Sequence, residues 1–398
     1  MENQNKFVSE KRRLFFKQIT GGMFGLSVGL GLPSKLKAEG KRAEKAKLII
    51  NHIEKIKFRV PIKPGMWCSP EYGPDALSRF WEGDKSILKI YGENGFIGLG
   101  ETGRNYNKKA LEENIRFLTG RDIFSLNFAH PNLSLPQGAT SSAFEMAIFD
   151  LIGKTWGVPV YQLLGGRYQD KVAVTYWTGR WNGQDMEKIA RRCKYMGYQS
   201  LKFKWRPGDP IIEELRAIEK VDPEINVTVD LNRHYETPEE FLPLAKQLER
   251  FNIKAIEDPV PLRMDWYASI REKVNIPIAI TTGDPSKVIE CIKAGACDCF
   301  NFGGHMRHFV RLCAVADAAG IQTWHGSGSE LGVRDTSFIH AIAATPNCTI
   351  ASDVLGYFIR EDDLLSKSFT VENGYATVPI DPGLGIELDE DALKKYRV

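Results

Sequence analysis

The sequence predicts an α/β protein: a closed barrel of parallel strands preceded by a smaller α+β domain. Three observations carry that expectation. Eight short apolar runs alternate with amphipathic stretches between residues 172 and 354, the pattern of a parallel sheet wound through helices. Polar residues recur near the ends of those runs at almost constant spacing. The preceding residues, 46–165, follow a different grammar, strands first and helices after.

Taken in order, the chain opens with an N-terminal segment set apart by its charge. Residues 1–38 hold seven basic and two acidic side chains, while the rest of the 398 residues carry 46 basic and 48 acidic ones. The formal net charge of +3 therefore hides a folded part that is slightly acidic, which argues against nucleic acid as a partner. KRRLFFK (11–17) precedes an apolar, glycine-rich run, ITGGMFGLSVGLGL (19–32). This resembles a twin-arginine export signal, too short and glycine-rich for a stable membrane span. The expectation is an exported or periplasmic protein. Seven cysteines at irregular spacing show no metal or disulfide framework and read as buried free thiols.

After a charged linker, KLIINHIEKIKFRVPI (47–62) reads as strand, and SILKIYGENGFIGLGE (86–101) as a hairpin turning at Glu-Asn-Gly. ALEENIRFLTG (110–120) and SSAFEMAIFDLIGKTWG (141–157) read as helices; in the second, Ala143, Met146, Ala147, Asp150 and Leu151 fall on one stripe. The barrel strands follow: VAVTYW (172–177), SLKFKW (200–205), NVTVDLN (226–232), IKAIEDP (253–259), IPIAITTGD (276–284), ACDCFNFGG (296–304), IQTWHGSG (321–328) and CTIASDV (348–354). The barrel is expected over 168–360. Residues 361–398 return to turn-rich text and are expected to pack back on the first domain.

The ionisable residues near the strand ends are Lys202 and Lys204, Asp230, Glu257, Asp284, Asp298, His325 and Asp353. Asp230 to Glu257, Glu257 to Asp284, and Asp298 to His325 are each 27 residues apart. A single charge at a strand end is usually solvated, but a series in register converges at the C-terminal mouth of a barrel. Asp230, Glu257 and Asp284 would repel one another unless they share a cation. All-oxygen ligation favours Mg2+, with Mn2+ the other candidate. Lys202 and Lys204 lie two apart on one strand and face the same way. Crowded beside a metal, their pKa values should fall from about 10.4 toward neutrality. Lys204 is then expected to be a base and Lys202 to hold a substrate carboxylate. Asp298 should orient His325 as the second acid/base.

This set of residues resembles the enolase superfamily, mandelate racemase subgroup. The resemblance runs through SSAFEMAIFDLIGKTWGVPVYQLLGG (141–166), LKFKW, VTVDLN, IEDP, TTGD, DCFNFGG, TWHG and GYATVPIDPGLGIELD. It implies a modified TIM barrel, (β/α)7β, whose cap is formed by the N-terminal region and the C-terminal segment. It implies magnesium held by Asp230, Glu257 and Asp284, and abstraction of the proton α to a carboxylate, giving an enediolate. It also implies a homo-oligomer, since members are commonly multimers. The sequence departs from the pattern at Asp284, where the subgroup usually has Glu, at IEDP, and at Ser352–Asp353 in the eighth strand.

Two outcomes compete. Dehydration of an acid sugar to a 2-keto-3-deoxy acid is the first expectation, with Lys204 removing the proton and His325 protonating the departing hydroxyl. The hydrogen-bonding cap stretches MWCSPEYGPD (66–75), GRNYN (103–107) and WNGQD (181–185) suit a polyol acid, with Trp67, Tyr72, Asn232 and Asp353 as substrate contacts. Racemisation, epimerisation or cycloisomerisation is the alternative. An exported sugar-acid binding protein without catalysis is a further one.

Overall fold

The computed structural model describes residues 47–72, 84–104, 106–126 and 140–398. The twin-arginine-like segment therefore lies outside the described residues, as do Gly73–Asp75 of the first cap stretch and Asn105 of the second.

The cap begins with a three-stranded antiparallel sheet of β1 (Ile50–Phe58), β2 (Lys85–Gly92) and β3 (Ile97–Glu101). The hairpin read at Glu-Asn-Gly joins β2 to β3. Helix α1 (Lys108–Leu118) follows, capped by the Asn107 side chain on Ala110 N. Helix α2 (Ser141–Trp156) packs on the sheet. The contact is close because β3 alternates glycine: a Cβ at Gly98 or Gly100 would collide with the carbonyl of Ala147 or Ala143 in α2. On the same helix, buried Asp150 accepts from Leu99 N at 2.8 Å, Leu384 N at 2.7 Å and Lys154 Nζ at 2.7 Å. One carboxylate thus ties β3, α2 and the C-terminal segment together.

The chain then enters β4 (Lys171–Ala173), which pairs with the late hairpin β12 (Val371–Glu372) and β13 (Tyr375–Thr377). Seven parallel strands form the next sheet in unbroken sequence order: β5 (Tyr176–Thr178), β6 (Ser200–Lys204), β7 (Asn226–Asp230), β8 (Ile253–Glu257), β9 (Ile278–Thr281), β10 (Cys299–Phe302) and β11 (Gln322–His325). Between them run α3 (Gly183–Tyr195), α4 (Ile211–Val221), α5 (Pro238–Leu248), α6 (Met264–Lys273), α7 (Pro285–Ala294) and α8 (Met306–Asp317); α9 (Gly332–Ala343) follows β11. The eighth strand read at 348–354 is mostly irregular, yet it closes the ring. Ile350 N and Asp353 N donate to Thr323 O and His325 O on one side, and on the other Ser352 N donates to Ala173 O and accepts at its carbonyl from Thr175 N. The architecture is that of a (β/α)7β barrel.

Residue alternation decides what the barrel holds. A small inner cluster of Ala255, Ala279, Cys299 and Trp324 fills its floor, while Leu201, Phe203, Val229, Ile256, Ile280 and Phe300 point outward into the main core under the helices. The C-terminal segment has two destinations. Its hairpin extends the barrel entrance at β4. Its last helix, α10 (Glu390–Tyr396), leads into a bridge from Arg397 to Phe58 and a bond from Val398 N to Lys57 O, alongside β1. Glu101 at the end of β3 accepts from Lys85 Nζ at 2.7 Å and from Leu331 N and Arg334 N at 2.8 and 2.9 Å. A cap carboxylate thereby satisfies the N-terminus of α9, where backbone N–H groups lack helical partners.

Candidate active site

Inward-facing side chains at the C-terminal strand ends form a cavity of about 170 Å³. Lys202 and Lys204 enter it from β6, Asp230 from β7, Glu257 from β8, Thr281 from β9 and Asn301 from β10. The parallel register pairs Lys204 with Asp230 and Asp230 with Glu257, so three of the expected residues stand side by side at one height. Asn232, Arg233, Asp258 and Ser329 all have positive φ, from 47° to 68°. Strained backbone of this kind gathers where chains turn sharply around a site.

Each lysine has its own acids. Lys202 lies 2.7 Å from Glu257 and 2.9 Å from Asp353, almost wholly buried, its ammonium 5.3 Å from the centre of the Trp324 ring. Burial alone would favour the neutral amine, but Asp353, Glu257 and Asp230 outweigh it and raise the pKa. This corrects the expectation that crowding lowers it: the neighbour that counts is acid, not amine. Glu257 is held down to about 2, burial being overcome by Lys202 and Lys204. Asp353 shares the same lysine less favourably, and burial lifts it to about 6. Lys204 is ion-paired with Asp230.

Glu257 Oε1 also accepts from Thr281 Oγ1 at 2.7 Å and Asn301 Nδ2 at 2.6 Å. Asp258 accepts from Thr281 N at 3.0 Å and meets Arg233 at 3.2 Å; burial, with Glu257 next to it, pushes it up to about 7. Ser327 and Ser329 complete the opposite rim. A second cavity of about 420 Å³ shares Thr281, Asn301 and Ser327 with the first and reaches Arg104 of the cap, Glu330 and Arg334.

Three expected site residues lie elsewhere. Asp284 is exposed, three residues past β9, and caps α7 by accepting from Ser286 N at 2.8 Å. Its place is explained by Pro285 at the first helical position, an arrangement that favours an Asp cap. Asp298 precedes β10 and sits at the opposite end of the barrel, where it accepts from Ile278 N at 2.8 Å and Arg271 Nε at 3.0 Å. The residue level with His325 is Phe302, not Asp298. His325 itself points out of the barrel, because its neighbour Trp324 points in. It stacks 3.8 Å from Phe338, packs against Phe309 and donates from Nδ1 to Gly326 O at 2.7 Å. Burial pushes its pKa down to about 3. The Asp298–His325 pair does not form.

The substrate-contact expectations divide as well. Asn232 and Asp353 line the cavity. Trp67 packs 4.6 Å from Trp177, which does line it, and so stands one layer back. Tyr72 lies under Arg180 and its hydroxyl is 3.5 Å from Trp181 O. Thr281, Asn301, Asp258 and Trp177 were not singled out from the sequence. Alternation places the first two inward, Thr281 two residues after Ala279 and Asn301 two after Cys299, both members of the inner cluster.

The donors suit a divalent cation in kind. Asp230 and Glu257 are adjacent carboxylates, Thr281 adds a hydroxyl, and buried Asn301 Oδ1 has no hydrogen-bond partner. Mg2+ is commonly held by one or two carboxylates with water and substrate oxygens completing its shell. No three carboxylate, imidazole or thiolate groups come together as metal ligands among the described residues.

Residues 185–392, just over half the chain, match the family model described as enolase C-terminal domain-like. An N-succinyl-L-Arg/Lys racemase of Bacillus cereus is 29% identical over 336 residues, covering 78% of this chain and 90% of that protein. Muconate cycloisomerase 1 of Acinetobacter baylyi is 28% identical over 341 residues, covering 78% and 91%. The crystal structure of 2-chloromuconate cycloisomerase from Rhodococcus opacus superposes with a TM-score of 0.74 at 20% identity, over 88% of this chain and 99% of that one. Members of the superfamily typically use Mg2+. With its cap, its barrel and more than half its sequence matched in this way, the chain belongs to the enolase superfamily.

Proposed function

We propose that this protein removes the proton α to the carboxylate of a small-molecule acid, and that the outcome is elimination, in the first instance dehydration of an acid sugar to a 2-keto-3-deoxy acid. One observation carries the reading. β10 stands four places round the ring from β6, so its end faces the lysines. The described residues lining that side offer Asn301, Ser327, Ser329 and the glycines Gly303 and Gly326, with no amine or imidazole, and the carboxylate there, Glu330, is committed to Arg334 at 3.1 Å and to the Ser327 hydroxyl. A one-base site can remove a proton and expel a leaving group on the same face. Transfer of a proton between two faces needs a second acid/base.

Lys204 takes the α-proton as the free amine, after its ion pair with Asp230 has broken and its ammonium has released a proton to solvent. Protonated, it passes that proton to the departing β-hydroxyl. The C–H and C–O bonds break, water leaves, and the enol product rearranges to the 2-keto-3-deoxy acid. Lys202, kept charged by Glu257 and Asp353, faces the carboxylate on which negative charge grows. A divalent cation held by Asp230 and Glu257 would supply Lewis-acid stabilisation of that charge. Asn301, Ser327 and Ser329 are placed to bind hydroxyl groups, and Trp177 bounds the cavity.

Isomerisation is the second reading, favoured by relatives named as racemases, epimerases and cycloisomerases. Cycloisomerisation would use the same single face. Incubation with aldonic and uronic acids plus Mg2+ in D2O tests both readings. Release of a 2-keto acid that reacts with semicarbazide supports dehydration. α-Deuteration or lactone formation without that product supports isomerisation. No exchange with any acid sugar, dicarboxylate or N-acylamino acid overturns proton abstraction. We further propose, from residues 1–38 alone, export to the periplasm.

A further inference from the structure

Three of the four oxygens of the two carboxylates that face a cation accept hydrogen bonds from the chain, and the fourth, Glu257 Oε2, has an ion-pair contact alone. Asp230 Oδ1 accepts from Asn232 N at 2.9 Å and Oδ2 meets Lys204. Glu257 Oε1 accepts from Thr281 and Asn301, and Oε2 lies 2.7 Å from Lys202. The third neighbouring strand could add a negative charge at its inward-facing end, but that residue is Thr281. The nearest acid along the chain, Asp284, is committed to α7.

We propose that Thr281 sets the cation affinity of this site: a hydroxyl stands where the fifth barrel strand could contribute a carboxylate. The ion is therefore held by two charges, in competition with the two ammoniums, and bound weakly. This rests on the reading of Asp230 and Glu257 as the cation-facing pair. Affinity for a hard cation follows the number of charged ligands, and a carboxylate at 281 would add one next to Glu257. Without the ion that new carboxylate would repel Glu257, so the variant should also lose thermal stability and regain it with metal.

The test is titration of the full chain with Mn2+, followed by electron paramagnetic resonance, which needs no substrate or turnover. Wild type should bind with a Kd on the order of 10⁻⁴ M or weaker. Thr281→Asp should tighten binding by about tenfold or more, and Thr281→Asn should not. A wild-type Kd in the low micromolar range overturns the proposal. So does a folded Thr281→Asp variant with unchanged affinity. If Thr281→Asp does not fold, the wild-type Kd and Thr281→Glu decide. Asp230→Asn separates the two levels: unchanged Mn2+ binding in that variant overturns the placement of the ion rather than the role of Thr281.

Discussion

Trp324 and His325, adjacent in sequence, leave opposite faces of β11. The indole closes the barrel floor near Lys202, whereas the imidazole is sealed between Phe309 and Phe338. His325→Phe should therefore keep turnover. A fall of the ~10²–10⁴-fold expected for a lost acid/base group would return the imidazole to the chemistry.

The same burial predicts acid lability. His325 and His340 are both held neutral by burial, at about 3 and about 4. Unfolding exposes them, and each then binds a proton below about pH 6.5. Stability should fall as pH drops from about 6.5 toward 4, by about 1.4 kcal/mol per pH unit for each imidazole. Urea unfolding at a series of pH values measures the slope, and His325→Phe should remove about half of this contribution.

How much of this was legible follows from what spacing can encode. The 27-residue step found Asp230 and Glu257 because both end their strands, and β7 pairs with β8 so that those ends are level. It failed at Asp284 and Asp298 because residue count ignores where a strand stops: one lies three past β9, the other one before β10. Both are polar for local reasons, a helix cap and an arginine partner. His325 failed on parity, since a shift of one residue exchanges inside for outside. The strand order and the closed barrel were readable because alternating runs and helices repeat, although VAVTYW, read as one barrel strand, divides between β4 in the small antiparallel sheet and β5 in the barrel. Ion pairing of Lys202 with Asp353, 151 residues away, depends on ring closure and has no local signal.

Asp284→Ala isolates the cap from the site. Loss of the side-chain acceptor should cost about 1 kcal/mol and leave Mn2+ binding unchanged. Thermal melts and the paramagnetic titration check the two halves separately, and weakened metal binding would bring Asp284 back as a ligand.

Lys202→Met should be far more damaging to the fold. It leaves Glu257 and Asp353 facing each other, buried, without their shared cation, a change that typically costs about 3–5 kcal/mol. Adding Asp353→Asn should recover part of that loss. Lys204→Ala, at a less buried position, should preserve the fold better and abolish α-proton exchange. Exchange at the wild-type rate would remove Lys204 as the base.

Gly303 faces inward two residues beyond Asn301, and a Cβ there meets only ordinary contact with Gly326 O at 3.6 Å. Gly303→Lys should place an amine across from Lys204. If the single-faced reading is right, the variant gains α-proton exchange on the opposite face of a substrate that wild type deprotonates on one face only. Enantiomer-resolved exchange in D2O reports this directly, and two-faced exchange in wild type would defeat the reading.

Glu214 offers a test of what the fold gives up. It is fully buried in α4, and neither carboxylate oxygen has a hydrogen-bond partner. Burial, reinforced by Asp209, raises its pKa well above the ordinary value, so the fold favours the neutral acid. The unfolded chain ionises it near 4.5. The native state therefore binds the extra proton, and this group's contribution to stability declines as pH rises through that region. Glu214→Leu removes an unsatisfied polar group worth about 1–3 kcal/mol, and it should raise the melting temperature more at pH 8 than at pH 5. An equal gain at both values would mean the carboxyl is not protonated in the fold, and a loss would mean it has a partner that holds α4 in place.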